Sequence, residues 1–257
     1  MENNQKLVSR FGYEWHKYND ILPIYEEQFL RWSSLISKEE WQDKEVLDVG
    51  CGMGRNSYWP LTYKAKHVTA IDLDDRSIAS SRHTLKNFSN CTIQKMSAYE
   101  ITYENQFDIT FSIGVIHHLD NYKLALKNMY QATKPGGKML IWVYGKENMN
   151  GFVKLLNPFR KYIFSKLPIP VTHFLSLFPT MILFALLKAN FGKIEYFNLI
   201  RKFSFNHLRS IIFDQMLPNT ANYWTKEEVL HLMKECQLHD IHIQSVNNMS
   251  WCCVGTK

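Results

Sequence analysis

Three glycines and two carboxylates give the first chemical signal in this sequence. Gly50, Gly52 and Gly54 alternate with Cys51 and Met53 directly after the apolar run Val46-Leu47-Asp48-Val49, and Arg55-Asn56 follow. Glycines at a strand-to-helix turn let a ligand approach the backbone without meeting a side chain. The dinucleotide fingerprint G-x-G-x-x-G would need glycine at 55, where Arg55 stands, and Asp48 at the strand tip would repel a pyrophosphate. A nicotinamide dehydrogenase is therefore disfavoured, and a cationic ligand suits the acid. A second run, HVTAID, ends in Asp72, 22 residues beyond Gly50. A carboxylate there can take both ribose hydroxyls of an adenosine. Its competing reading is a cap for the helix entering at Arg76-Ser77.

His117-His118 is the second candidate centre. An imidazole titrates near neutrality and can accept a hydroxyl proton, which makes one of the pair the candidate general base. The alternative is a loop histidine that shapes a pocket. The five cysteines (Cys51, Cys91, Cys236, Cys252, Cys253) include no C-x-x-C pair. Neither a zinc site nor a disulfide framework is indicated, no metal is expected, and a reducing cytoplasm fits best.

These residues must be positioned by alternating elements. EVLDVG (45–50), HVTAID (67–72), CTIQKM (91–96), FDITFSIGVI (107–116) and KMLIWVY (138–144) read as strands with helical spans between them. The helix NYKLALKNMYQATK is expected to stop at the breaker Pro135-Gly136-Gly137. Such alternation predicts a parallel sheet with helices on both faces, a doubly wound α/β fold. The pattern lapses after residue 145 and resumes at Thr225, whose spacing to Glu228 is that of a capping box. DIHIQSV and MSWCCVG then read as an antiparallel pair turning at Asn247-Asn248. The expected organisation is an aromatic helical lid over 1–43, a core of 44–145 and 223–257, and a helical insertion over 146–222.

The 257 residues are 46% hydrophobic and 21% charged, which excludes a disordered, collagen-like or cysteine-stapled chain. The net charge of +6 is uneven: nine basic residues and one acid lie between Phe152 and Phe213, with 11 of the 16 phenylalanines. The insertion has three readings. It is a cap with its own phenylalanine core and solvated lysines, or an apolar, cationic surface for an anionic membrane or a lipid-linked acceptor, or a nucleic-acid surface through Arg160-Lys161 and Arg201-Lys202. Nucleic acid is disfavoured, since no RNA-binding motif is present and the charge is modest. Val171 to Ala189 approaches membrane length but contains His173, Pro179 and Lys188, and reads as buried or interfacial, not spanning. The N-terminal MENNQKLVSR lacks the apolar core of a secretion signal. The expectation is a cytoplasmic protein with peripheral membrane contact through 152–213.

VLDVGCGMGR, the acid in TAIDL, FDITFSIGVIHHL and KPGGKMLIWVY resemble the class I S-adenosylmethionine-dependent methyltransferases of the type 11-like kind, over about Lys44 to Gly145 plus the last hairpin. The resemblance implies a seven-stranded sheet of order 3-2-1-4-5-7-6 with strand 7 antiparallel. It implies S-adenosyl-L-methionine as cofactor and S-adenosyl-L-homocysteine as product. Asp48, Gly50, Cys51, Gly52 and Gly54 would surround the methionine moiety, Asp72 and Leu73 the ribose, and Ile113 would pack on the cofactor. Ser97-Ala98 stand where the family often has an acid near the adenine. FGYEWHKYNDILPIYEEQFLRW resembles a bacterial subset in which this segment folds over the cofactor. Arg31 would then meet its carboxylate, while Phe11, Tyr13, Trp15 and Tyr18 form an aromatic lid whose last three members reach substrate. Tyr223, with Asp214 and Asn222, is expected at the acceptor. That subset is associated with surface-polysaccharide or natural-product pathways. The implied activity is methyl transfer to a small or lipid-linked metabolite, at a hydroxyl. The alternatives are transfer to nitrogen or carbon (RNA included) and a non-catalytic nucleoside-binding partner protein.

Overall fold

The computed structural model describes residues 2–148, 150–190, 192, 195–218 and 221–257. Two helices come first, α1 (Glu2–Lys17) and α2 (Ile24–Trp32). Then β1 (Glu45–Val49), α3 (Arg55–Thr62), β2 (His67–Asp72), α4 (Asp75–Thr84) and β3 (Cys91–Lys95) alternate. β4 (Phe107–Ile113), α5 (Tyr122–Ala132) and β5 (Thr133–Tyr144) complete the parallel part. Five helices follow: α6 (Asn150–Tyr162), α7 (Ile169–Leu175), α8 (Leu177–Lys188), α9 (Glu195–Ile200) and α10 (Phe205–Met216). α11 (Lys226–Glu235), β6 (His239–Val246) and β7 (Ser250–Thr256) close the chain.

The seven strands run β3-β2-β1-β4-β5-β7-β6, with β7 antiparallel to both neighbours. Strand residues alternate between two apolar layers, as the pleat requires. Leu47, Val49, Met139 and Ile141 join Leu126 and Met129 of α5 and Val229 and Met233 of α11. Val46, Phe111 and Leu140 join Phe29 of α2, Trp41 and Trp59 on the opposite face. Because β1 is covered on both sides, its buried residues Val46, Leu47 and Val49 are apolar, and Asp48 is the one polar residue among its buried positions. That polar interruption of a fully covered strand marks a site.

Local chemistry fixes the element ends. Thr225 and Glu228 form the expected capping box on α11. Asn247 and Asn248 both take positive φ, 54° and 57°, in the turn between β6 and β7. Two boundaries differ from expectation. The fourth strand ends at Ile113, where Gly114 turns the chain at φ 82° into a short 3-10 turn, Ile116–His118. The fifth begins at Thr133, not Lys138: Thr133 pairs with Phe107, and the register then shifts so that Lys138 meets Ile109. Pro135-Gly136-Gly137 forms the resulting bulge, which accommodates a breaker at a strand's start rather than ending the helix late.

Between β5 and α11 the helices hold a small core of Leu187, Leu199, Ile200, Phe203 and Leu208. Chain return is secured by a bridge between Gly145 and Trp224. Phe191 and Lys193, and the side chains of Phe152, Lys154 and Glu195, lie outside the described residues.

Candidate functional site

The turn after β1 is shaped by contact as well as by conformation. Gly50 sits at φ 81°, and a Cβ there would lie 2.4 Å from Val115 Cγ2, so no other residue fits. Its amide and that of Cys51 both donate to Ile71 O, which ties the turn to the tip of β2. α3 then starts at Arg55 with Gly54 before it. Asp48 is buried and accepts a 2.6 Å hydrogen bond from Ser57 Oγ in the first turns of α3. Burial pushes its carboxyl up to about 7, with the nearby Asp72 charge adding and the Ser57 bond opposing.

Asp72 accepts from the Gly52 amide at 2.9 Å through Oδ2 and from the Asp74 amide at 3.0 Å through Oδ1. The helix cap that competed for its role belongs to Asp74, which accepts from the Arg76 and Ser77 amides. Asp72 therefore faces the glycine turn, and burial raises its carboxyl above the usual range against those amide bonds. Among the described residues, neither Asp48 nor Asp72 has a lysine or arginine ion-pair partner. Two buried acids beside each other, without a cation, form a site that a cationic ligand completes.

The remaining cofactor candidates take graded positions. Met96 N donates to Asp72 O, tying the segment with Ser97 and Ala98 to the β2 tip. Ser97 Oγ accepts from Tyr99 N and the Ala98 carbonyl from Asn128 Nδ2. Ile113 is buried at the end of β4, while Leu73 is 40% exposed. The Cys51 thiol is buried 3.4 Å from Ser81 Oγ and held well above its usual range by burial, which leaves it protonated.

Helix α1 lies across this edge. Its Gly12 packs so tightly on α4 that a Cβ would fall 1.9 Å from Asp74 Oδ1. Trp15 lies against the turn itself: a Cβ on Gly52 would be 3.0 Å from Trp15 Nε1. Trp15, expected at the acceptor, is placed by the structure against the glycine turn. The Arg55 guanidinium lies over Tyr25 at 4.7 Å, Trp32 at 5.1 Å and Trp15 at 5.4 Å. Of the two arginines that matter here, Arg55 is set beside the glycine turn. The fork of Arg31 is taken up by Glu27 at 3.1 Å and by Asn247 at 3.0 Å, because α2 ends against the β6–β7 turn.

Across the turn stands a second polar cluster. His117 is fully buried, its ring 3.8 Å from that of Tyr144, and neither ring nitrogen has a hydrogen-bond partner among the described residues. Burial, then His118 and Arg160, pushes His117 well below its usual range, so its imidazole is neutral. His118 packs on Phe11 at 4.9 Å. Tyr144 Oη donates to Asp214 Oδ2 at 3.3 Å, and its ring stacks on Tyr223 at 5.5 Å. Arg160 donates to Tyr223 Oη at 2.8 Å and to Gln215 O and Oε1 at 2.6 Å each. Asn222 N donates to His117 O, which holds the return segment on the histidine. Glu14 of α1 accepts from Ser210 Oγ at 2.9 Å. Burial and the Asp214 charge hold Glu14 well above the carboxylate range, and burial raises Asp214 as well.

Tyr13 and Tyr18 turn toward the insertion. Tyr18 Oη lies 2.9 Å from His173 Nε2, and Tyr13 packs edge-on to His173 and Phe213. Glu14, Tyr144 and Arg160 escaped the sequence reading. Glu14 is a charge embedded in the aromatic run GYEWHKY, and that was its one visible signal. Arg160, counted as a solvated or nucleic-acid-facing base, is 1% exposed. Arg201 donates to Asn198 Oδ1 at 2.6 Å.

Residues 47–141 match the family model described as a methyltransferase domain. A phosphoethanolamine N-methyltransferase of Caenorhabditis elegans is 29% identical over 121 residues, 46% of this chain and 27% of the relative. A ubiquinone biosynthesis O-methyltransferase of Pseudomonas putida is 26% identical over 128 residues, 49% of this chain and 55% of the relative. This chain thus spans about a quarter to a half of the length of these relatives. The crystal structure of a Burkholderia thailandensis 1,6-didemethyltoxoflavin-N1-methyltransferase, with its substrate and S-adenosylhomocysteine bound, superposes with a TM-score of 0.63 at 16% identity, covering 100% of this chain and 89% of that one. The likeness is one of fold.

Proposed function

We propose that this chain, whose residues 47–141 match the family model of a methyltransferase domain, transfers a methyl group from S-adenosylmethionine to a hydroxyl of a small or lipid-linked metabolite, in a polysaccharide or natural-product type of pathway. The observation that carries this reading is the pair of buried, cation-free carboxylates flanking the glycine turn, with Asp48 raised to about 7. They fit S-adenosylmethionine, whose sulfonium and ammonium groups are cationic and whose ribose offers two donors. The cofactor, when bound, supplies the electrophilic methyl. Asp72 would hold the ribose, Asp48 and the 50–54 turn the methionine end, and Arg55 its carboxylate. Trp15 then excludes water from above Gly52. Alignment of this kind is worth ~7–11 kcal/mol of the barrier in well-oriented displacements.

On the acceptor side, the neutral imidazole of His117 can accept the hydroxyl proton at an unpartnered ring nitrogen as charge develops on oxygen. Tyr144, Tyr223 and Asp214 would orient the acceptor's polar groups. The depressed basicity of His117 favours one second reading, transfer to a nitrogen or carbon that needs no strong base. The test is calorimetric titration with S-adenosylmethionine, then an acceptor screen read by mass shift. His117→Ala is expected to lower turnover ~100-fold or more with donor affinity kept. Unchanged turnover in that variant would favour nitrogen or carbon, and no heat with the donor would overturn the whole reading.

A further inference from the structure

α7 and α8 are inside-out. Over Ile169–Lys188 the chain is apolar enough, with a mean hydropathy of 1.8, to match a membrane-crossing helix in length and composition, yet only 22% of that stretch is buried. Val171 and Phe174 of α7 and Phe178, Met181, Ile182 and Leu186 of α8, most of them three to four residues apart, are 41–63% exposed. The covered face carries Thr172, Ser176 and Thr180, all fully buried. Water-soluble helices place these two kinds of residue the other way round. α6 repeats the arrangement, with Leu155, Phe159 and Tyr162 exposed and Arg160 buried against Gln215.

The charge around these faces selects the occupant. No aspartate or glutamate occurs between residues 148 and 194, and the exposed Lys161, Lys166 and Lys188 flank the apolar stripes. A second copy of the chain, meeting this same patch across a two-fold axis, would bring no acid from residues 148–194 to pair with these lysines. A bilayer with anionic headgroups matches both the hydrocarbon face and the cationic rim. The segment is held to the body: Arg10 donates to Thr172 Oγ1 at 3.4 Å and to Leu167 O at 3.2 Å, and Arg209 Nε donates to Ser176 Oγ at 3.3 Å.

We infer that α7 and α8, with the outer face of α6, form a docking surface that lies in the headgroup–acyl boundary of an anionic membrane. The opposite side of this layer is α10, whose Asp214 reaches Tyr144 in the acceptor cluster. An acceptor carried on a lipid would therefore meet the site from the surface that binds the bilayer. The docking itself does not depend on methyl transfer, so it and the donor reading fail separately.

Sedimentation of the full chain with phosphatidylcholine vesicles, with and without phosphatidylglycerol, tests this. Binding is expected only with phosphatidylglycerol present, and it should weaken as salt rises. The triple variant Phe174→Ser, Phe178→Ser, Ile182→Ser should lose vesicle affinity by about tenfold or more while its melting temperature and donor affinity hold, since these side chains are exposed. Lys161→Glu with Lys166→Glu should remove the preference for anionic lipid. Vesicle binding unaffected by these changes, no binding to anionic vesicles, or a solution dimer that the serine variant dissolves would each overturn the inference.

Discussion

Two pairs of buried acids, one at the glycine turn and one shared between α1 and α10, are solved differently. Asp48 and Asp72 face the glycine turn with hydrogen bonds from Ser57 and from backbone amides, and no cation among the described residues neutralises them. Glu14 and Asp214 share the other side with Arg160, whose charge opposes the rise in Asp214, and with Arg55, which lowers both. The first pair has no lysine or arginine ion-pair partner among the described residues; the second has the charges of Arg160 and Arg55 acting on it. Charge that a protein leaves uncompensated marks where a ligand brings its own, whereas compensated charge shapes a pocket for neutral polar groups.

The largest effect should come from the uncompensated side. Asp72→Ala removes the acceptor of two amide bonds and of the ligand's donors, and should weaken S-adenosylmethionine binding ~100-fold or more. Asp214→Asn should shift the same calorimetric affinity less than ~3-fold. The reverse order would break the contrast.

A smaller effect follows from pH. Asp48 titrates near 7 in the folded chain, above its unfolded value near 3.9. Its contribution to stability is therefore fully present below about pH 4 and is lost as pH rises through about 7. Asp48→Asn should accordingly raise the melting temperature of the ligand-free chain, and by more at pH 8 than at pH 5. Donor affinity in the wild type should climb up to about tenfold per unit below pH 7 and level off above it, because a cation selects the ionised carboxylate.

The smallest effect belongs to the compensated side. Glu14 is held protonated, so Glu14→Gln keeps its shape and its contact with Ser210 and should move the melting temperature by no more than ~2 °C. A drop of many degrees would mean that the carboxylate is ionised and that the two pairs are alike.

How much of this was legible beforehand depends on range. The strand positions, the capping box and the Asn247-Asn248 turn rest on local spacing and came through intact, whereas the sheet order was implied only by the resemblance to the methyltransferases and is the order observed. Pro135-Gly136-Gly137 misled because a bulge lets a strand absorb residues that would end a helix. Asp72 could be placed at a strand tip, but only the structure shows that Asp74 takes the cap. Arg160 and Arg31 illustrate what composition hides: a guanidinium counts as surface charge until tertiary packing gives it partners such as Gln215 and Tyr223, or Glu27 and Asn247. The exposed face of α8 was likewise hidden, since an all-apolar helix does not reveal from its pattern which side is covered.

Helix α1 works as a clasp with two jaws. Trp15 closes on Gly52 at one end of its contacts, and Arg10 grips the carbonyls of Phe164 and Leu167 at the other. If the proposed nucleoside site lies beneath the indole, a shift of α1 that admitted the ligand would also load the Arg10 contacts. Were the two ends coupled in this way, thermodynamic reciprocity would require that occupancy of either alter the affinity at the other by one common factor.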